Sequence, residues 1–366
     1  MTTELTFTTT DSDWTPPTSY PDLSDRSMIA IDLETRDPNI KKTGPGWPTK
    51  DGEIVGIAVA TDGFKGYFPI AHERGDNLDP AMTMKWFQKI MSSDADKICH
   101  NASYDIGWCR ASGIKTNGKI IDTMLAGAII DENRRGYSLN ALSAEYLGEI
   151  KSEVKLREKA EEWGLDAKAD LWKLPPSFVG EYAEQDAELT LKLWRKFETE
   201  IRLQNLSSIF EMETKLLPIL IEMREHGIRM DMNKAEVMKK TFVTEEKKKL
   251  HEIKGLTGVD VELWAATSVA KAFDAMKVPY DRTEKTKAPS FTTNWLHNCT
   301  HPLAKLVREA REMNKFHSTF IDSIFKFEHK GRIHAEINQL RSDNGGTVTG
   351  RLSMSNPNLQ QVPARN

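Results

Sequence analysis

Asp32 and Glu34, in the stretch MIAIDLET at 28–35, are residues whose types and spacing could do chemistry together. The apolar residues around them, with β-branched Ile29 and Ile31, predict a buried strand. Alternate side chains of a strand share a face, so the two carboxylates point the same way. At roughly 4 Å and an effective dielectric near 20, two such charges repel by about 4 kcal/mol. A divalent cation removes that repulsion. A solvated loop after the strand would also accommodate both acids, so the pair gains meaning only from what joins it.

Asp105 lies in HNASYD, residues 100–105, at a predicted strand-to-helix junction. Asn101 or Ser103 suits the N-cap there, and Asp105 suits the first turn, where the helix dipole favours an anion. A further acid lies in EYAEQDAELTLKLW, residues 181–194, on a helix expected to begin after Pro175-Pro176 with Ser177 as N-cap. Tyr182 and Asp186 are four apart and stack on one helix face. A surface helix with solvated acids and a half-buried tyrosine accounts for that segment too. Asp122, in IIDTM, reads as the N-cap of the following helix and is left outside the cluster.

The elements that must position these residues follow from hydrophobic pattern. Strands are expected at 28–33, 53–60 and 63–69, with Asp62-Gly63 as a hairpin turn. Asp79-Pro80 opens a helix through Met84, Phe87, Ile90 and Met91; a strand at 97–100, a helix at about 103–112 and a strand at 119–121 follow. Short strands alternating with helices after an antiparallel start predict a mixed α/β sheet covered on both faces. Sites in such sheets lie at strand ends.

D-x-E on the first strand, N-x-x-Y-D after a later strand and Y-x-x-x-D on a helix about 80 residues further on resemble the three motifs of the DnaQ-like 3′-to-5′ exonucleases. The form is that of the proofreading domains of family A DNA polymerases, and it covers about residues 25–200. The resemblance implies an RNase H-like mixed-sheet domain. In it, Asp32, Glu34, Asp105 and Asp186 would hold two divalent cations, Mg²⁺ or Mn²⁺, one lowering the pKa of an attacking water and the other stabilising the leaving 3′ oxygen. Tyr182 would orient that water, and Asn101 would lie close by and position a ligand or the DNA. Single-stranded 3′ ends are the implied substrate.

From Leu206 the pattern turns to long helices. An apolar stripe at 206, 209, 210, 216, 217, 220 and 221 ends at Gly227, a natural helix stop. Asp231 caps the next helix, whose lysines and glutamates read either as a solvated face or as a phosphate contact. DRTEKTK is a polar loop before a helix at Ser290, and another helix is expected from Leu303 to about Phe327. GRIHAEINQ alternates as a strand with Ile333, Ala335 and Ile337 on one face.

GGTVTGRLSMSNPNLQQVPAR then closely resembles the signature at the entry to the palm of family A DNA polymerases. The helices between 205 and 330 look like that family's thumb. By this resemblance Arg351 would read the minor groove at the primer terminus, with Thr349 in the same motif. Asn358 and Gln360 would contact the template-primer, and Arg311 and Lys315 the duplex backbone.

The expected organisation is therefore a flexible lead-in at 1–24, an exonuclease domain at 25–204, a mainly α-helical thumb-like region at 205–330 and a truncated palm entry at 331–366. The family's palm aspartates and fingers have no counterpart in the 366 residues, so polymerisation is expected to need them, on a second polypeptide. A non-catalytic DNA-binding or assembly subunit and a free-standing exonuclease are the competing expectations.

Composition sets the remaining bounds. A net charge of −4 leaves polyanion binding to local patches. Three cysteines without a C-x-x-C pair argue against a disulfide framework or zinc cluster and fit a reducing cytoplasm. There is no run of about 18 apolar residues, and the polar start lacks the basic and apolar regions of a signal peptide.

Overall fold

The computed structural model describes residues 12–340, 347 and 349–362. Its central element is a five-stranded sheet formed by β1 (Met28–Arg36), β2 (Glu53–Thr61), β3 (Phe64–Pro69), β4 (Asp96–Cys99) and β5 (Ile120–Asp122). Their order is β3-β2-β1-β4-β5. The first three strands are antiparallel neighbours, whereas β1–β4 and β4–β5 are parallel. The mixed sheet expected from the pattern is thus the one observed.

The two faces of β1 explain the placement of the acids. Ile29, Ile31 and Leu33 enter one core with Ile57, Val59, Phe68 and the helices Pro80–Met91 and Ala102–Ala111. Ala30, Ala58, Ala60 and Tyr67 enter the other, beneath the helix Pro176–Leu203. Asp32 and Glu34 alternate with the first set and so lie on the second face. Opposite them across the β1–β2 ladder stand Ala58 and Gly56. Small residues there leave room for carboxylates, and Gly56 also admits the Tyr67 ring: a Cβ added to Gly56 would lie 1.9 Å from the Tyr67 hydroxyl.

Several expectations change. Ser177 is inside its helix rather than capping it; Pro176 is the first helical residue, where a missing N–H does no harm. The described part of the lead-in is tied to the body, with Trp14 Nε1 donating to Glu184, Trp86 Nε1 donating to the Pro21 carbonyl, and Leu23 buried. Its aromatic and leucine anchors outweigh its polar composition; residues 1–11 lie outside the described residues.

Two compact units divide the chain elsewhere than expected. One holds the described residues up to Gly227 together with those of His334–Gln361; the other is Ile228–Ile333 with Val362. The helix Ser207–His226 belongs to the first unit because Phe210, Leu217 and Ile221 pack into its two cores. The strand expected across 331–339 is broken at His334–Ala335. Arg332–Ile333 pairs with Ile228–Arg229 and Glu328–His329 in the second unit, while Glu336–Asn338 pairs with Ser353–Ser355 in the first.

The second unit has its own core, in which Ile253, Val269, Phe273, Leu296, Leu303 and Val307 meet. Asp231 caps the helix Met232–Thr257 by accepting from Lys234 N. The helix expected at Ser290 begins at Thr293, because Thr292 supplies the cap and Pro289–Ser290 forms a short strand. The helix expected over 303–327 runs Pro302–Lys315, passes through a π-turn at Phe316–Ile321 and resumes as Asp322–Phe327. Among the described residues no helix is long and apolar enough to cross a membrane.

Candidate active site

Parallel pairing of β1 with β4 ends at Ala30 and Ile98, which leaves the later N–H groups on that edge of β1 without a strand partner. Asp105 supplies one. Its Oδ1 accepts from Leu33 N at 3.1 Å, and the side chain is buried. The capping role open to Asn101 or Ser103 goes to Asp122 instead. Its carboxylate accepts from Asn101 N and Ala102 N at the start of one helix and from Met124 N and Leu125 N at the start of the next. A single anion thus satisfies the orphan donors of two helices. Asn101 adopts the left-handed region at φ 71° and its side chain is exposed.

Asp186 comes from the long helix Pro176–Leu203 above the same sheet face, and its Oδ1 is buried with no hydrogen-bond partner. Tyr182, one turn earlier, is half-buried. The electrostatics link the cluster. Asp32 keeps part of its surface in solvent but has protein around it; burial, then repulsion from Asp186, pushes its carboxyl up to about 7. Burial, then Asp32 and Asp186, holds Glu34 well above the usual carboxylate range. Burial and the charge of Asp32 do the same for Asp105. Asp186 is also raised, because burial outweighs the neighbouring Lys151 ammonium.

Lys151 is the residue that pattern reading missed. Its Nζ donates to Asp186 Oδ2 at 2.8 Å and to the Tyr182 hydroxyl at 3.2 Å, and lies 3.3 Å from Glu153 Oε1. The side chain is 7% exposed, so this ammonium is inside the cluster rather than on the surface. It lies in the loop before the helix Val154–Glu162, in a lysine- and glutamate-rich stretch that resembles any solvated segment. No local signal distinguishes it.

The donor set suits a hard divalent cation: carboxylate oxygens held close enough to raise one another's pKa, with one buried oxygen lacking a partner. Among the described residues no three acidic, histidine or cysteine side chains already surround a single point at ligand spacing. A groove of about 930 Å³ opens on the Asn101 side of the sheet, lined among others by Lys41, Trp47, Asn101, Ser103, Lys168 and Asn338. The four acids do not line it.

The remaining expected site residues lie elsewhere. Thr349 and Arg351 are exposed, and Thr347 Oγ1 donates to the Arg351 carbonyl. Asn358 Oδ1 accepts from Gln360 N, while the Gln360 amide donates to the Leu352 carbonyl and accepts from Met354 N. That amide therefore braces its own segment. In the second unit, Arg311 donates to the carbonyls of Leu263 and Phe291 at 2.7 Å and lies over the Trp264 ring. Most of its guanidinium is engaged inside the unit. Lys315 is exposed.

Residues 20–202 match the family model described as 3′-5′ exonuclease, and residues 232–366 match that described as DNA polymerase family A. A DNA-directed DNA polymerase of Pseudomonas phage M6 is 35% identical over 378 residues, covering 98% of this chain and 56% of the relative. DNA polymerase DpoZ of Acinetobacter phage SH-Ab 15497 is 30% identical, with 95% and 57% covered. The chain thus spans somewhat more than half the length of these relatives. A solved structure titled as the POL domain of Pol1 from M. smegmatis in complex with DNA primer-template and dNTP superposes with a TM-score of 0.72. It shares 20% identity over 94% of this chain and 54% of that one, a likeness of fold. With Asp32 and Glu34 on the sheet face beneath the Asp186 helix, Asp105 bonded to the β1 backbone at Leu33, and both halves matched, the chain belongs to the family A DNA polymerases and carries that family's 3′-5′ exonuclease domain.

Proposed function

We propose that the first compact unit removes nucleotides from DNA 3′ ends by metal-dependent hydrolysis and acts as the proofreading domain of a replicative polymerase. The observation that carries this reading is the gathering of Asp32, Glu34, Asp105 and Asp186 from three separate elements, at a spacing where Asp186 opposes ionisation of Asp32, and Asp32 that of Glu34 and Asp105. A fold that needed only stability would place apolar groups there. Two Mg²⁺ or Mn²⁺ ions bound by these carboxylates would supply an activated water and charge stabilisation of the leaving oxygen.

The chain's own residues do the rest. Asp105, through its hydrogen bond to Leu33 N, ties the helix start to the strand that carries the D-x-E pair. The Tyr182 hydroxyl, on the same helix face as Asp186, is the group available to orient a water. The groove with Lys41, Asn101 and Lys168 offers cations and an amide to a single strand whose end has left the duplex.

We assign primer-template contacts to Thr349, Arg351, Asn358, Gln360 and Lys315, with Arg311 shaping the surface from which Lys315 projects. Nucleotide addition would draw on palm and fingers residues beyond those described, on this polypeptide or a second one. Action in the cytoplasm of a bacterial host fits the phage relatives.

The test is release of 3′-terminal nucleotides from labelled single-stranded DNA with Mg²⁺, by the wild type and by Asp32→Ala/Glu34→Ala. Cleavage by the wild type alone supports the reading. Equal cleavage by both overturns the site; cleavage by neither favours a DNA-binding role without catalysis.

A further inference from the structure

Lys151 is a fixed cation within a cluster that the preceding reading assigns to divalent cations, and the two uses conflict. Its ammonium donates to Asp186 Oδ2 and the Tyr182 hydroxyl and lies 4.5 Å from the Tyr182 ring centroid. An amine so placed neutralises the acid that would otherwise be free to ligate. It also has a second berth. Glu153 Oε1 is 3.3 Å away, on a carboxylate as buried as Asp186, which Arg157 and Lys168 also approach. Asp186 and Glu153 thus flank one ammonium, one acid inside the cluster and the other outside it.

We propose that Lys151 is an internal counter-ion that competes with divalent cations for the carboxylate cluster and withdraws towards Glu153 when a cation binds. The inference rests on the metal-site reading above. Its physical basis is charge balance: buried carboxylates without a cation repel, and the lysine limits that repulsion. A divalent ion does so more strongly, but must first displace the ammonium. Glu153 lowers the penalty by accepting it within the same buried region, so the lysine need not be stranded. The device would tune cation affinity downward while keeping the fold intact at low metal.

The test is titration of the full chain, without DNA, by Mn²⁺, following the free-ion signal by electron paramagnetic resonance. Removing the competitor in Lys151→Gln should tighten the apparent Kd about tenfold, and removing the berth in Glu153→Gln should weaken it severalfold. A loss of fold cannot mimic tighter binding. If Lys151→Gln does not fold, the Glu153→Gln affinity decides. Binding in Lys151→Gln no tighter than in the wild type, or no weakening in Glu153→Gln, overturns the counter-ion role while leaving the metal site standing. No Mn²⁺ binding by any of the three overturns the metal-site reading and the counter-ion with it.

Discussion

In the unit that runs to Gly227, charged side chains are drawn into the fold: Asp105 and Asp186 are buried and Lys151 is 7% exposed between its acids. In the unit Ile228–Ile333, ion pairs such as Lys249–Glu309 at 2.9 Å and Lys239–Asp322 at 2.5 Å remain within reach of solvent. Exposed pairs of that kind contribute little. The buried cluster is costly unless something uses it, and its carboxyls are pushed up by their own burial and by one another. The contrast separates a unit that gathers buried charges at one point from a unit whose ion pairs lie nearer its outside. Arg311, half-buried and bonded to two carbonyls, and the His317–Glu246 pair are exceptions in the second unit.

The sharpest way to break the contrast is to remove the buried acids. Asp32→Ala with Glu34→Ala should lower Mg²⁺-dependent 3′-end release by roughly a thousandfold. The same double change should leave the melting temperature without metal unchanged or raised, because it relieves repulsion. A fall in that temperature would mean the acids support the fold rather than a reaction.

Packing around the cluster comes next. Gly56→Val would drive a branched side chain into the Tyr67 ring, and about 3 kcal/mol of stability should be lost in denaturant unfolding. Tyr182→Phe keeps the ring and removes the hydroxyl, so 3′-end release should fall by roughly a hundredfold or less with stability little changed. In the second unit, Arg311→Ala should cost about 2 kcal/mol, read by hydrogen exchange of its core helices, and Arg311→Lys should not restore it because one ammonium cannot serve both carbonyls and the Trp264 face. A change confined to salt-dependent DNA affinity would instead return Arg311 to direct phosphate contact.

The last expected effect appears only on acidification. His72 accepts the Tyr67 hydroxyl proton at Nε2 and donates Nδ1–H to the Leu174 carbonyl, and burial lowers its pKa to about 4. The unfolded chain takes up this proton near pH 6.5. Stability present above that pH should therefore be lost as pH falls towards 4, with a slope of about one proton that disappears in His72→Gln. Comparing the two proteins cancels the acid cluster, whose raised carboxyls act in the opposite direction.

What the sequence by itself determined is whatever depends on neighbours along the chain. The period-two pattern of β1 put Asp32 and Glu34 on one face, the four-residue step set Tyr182 above Asp186, and Asp79, Asp122 and Asp231 cap the helices that follow them. These features need only a few residues of backbone geometry. Tertiary structure decided the rest. Leu33 meets Asp105 across 72 residues, Lys151 meets Asp186 across 35, and Arg311 meets the Leu263 carbonyl across 48. A buried lysine and a solvated one have the same spelling. Only the surrounding atoms, by excluding water and supplying opposite charge, make the first part of a site.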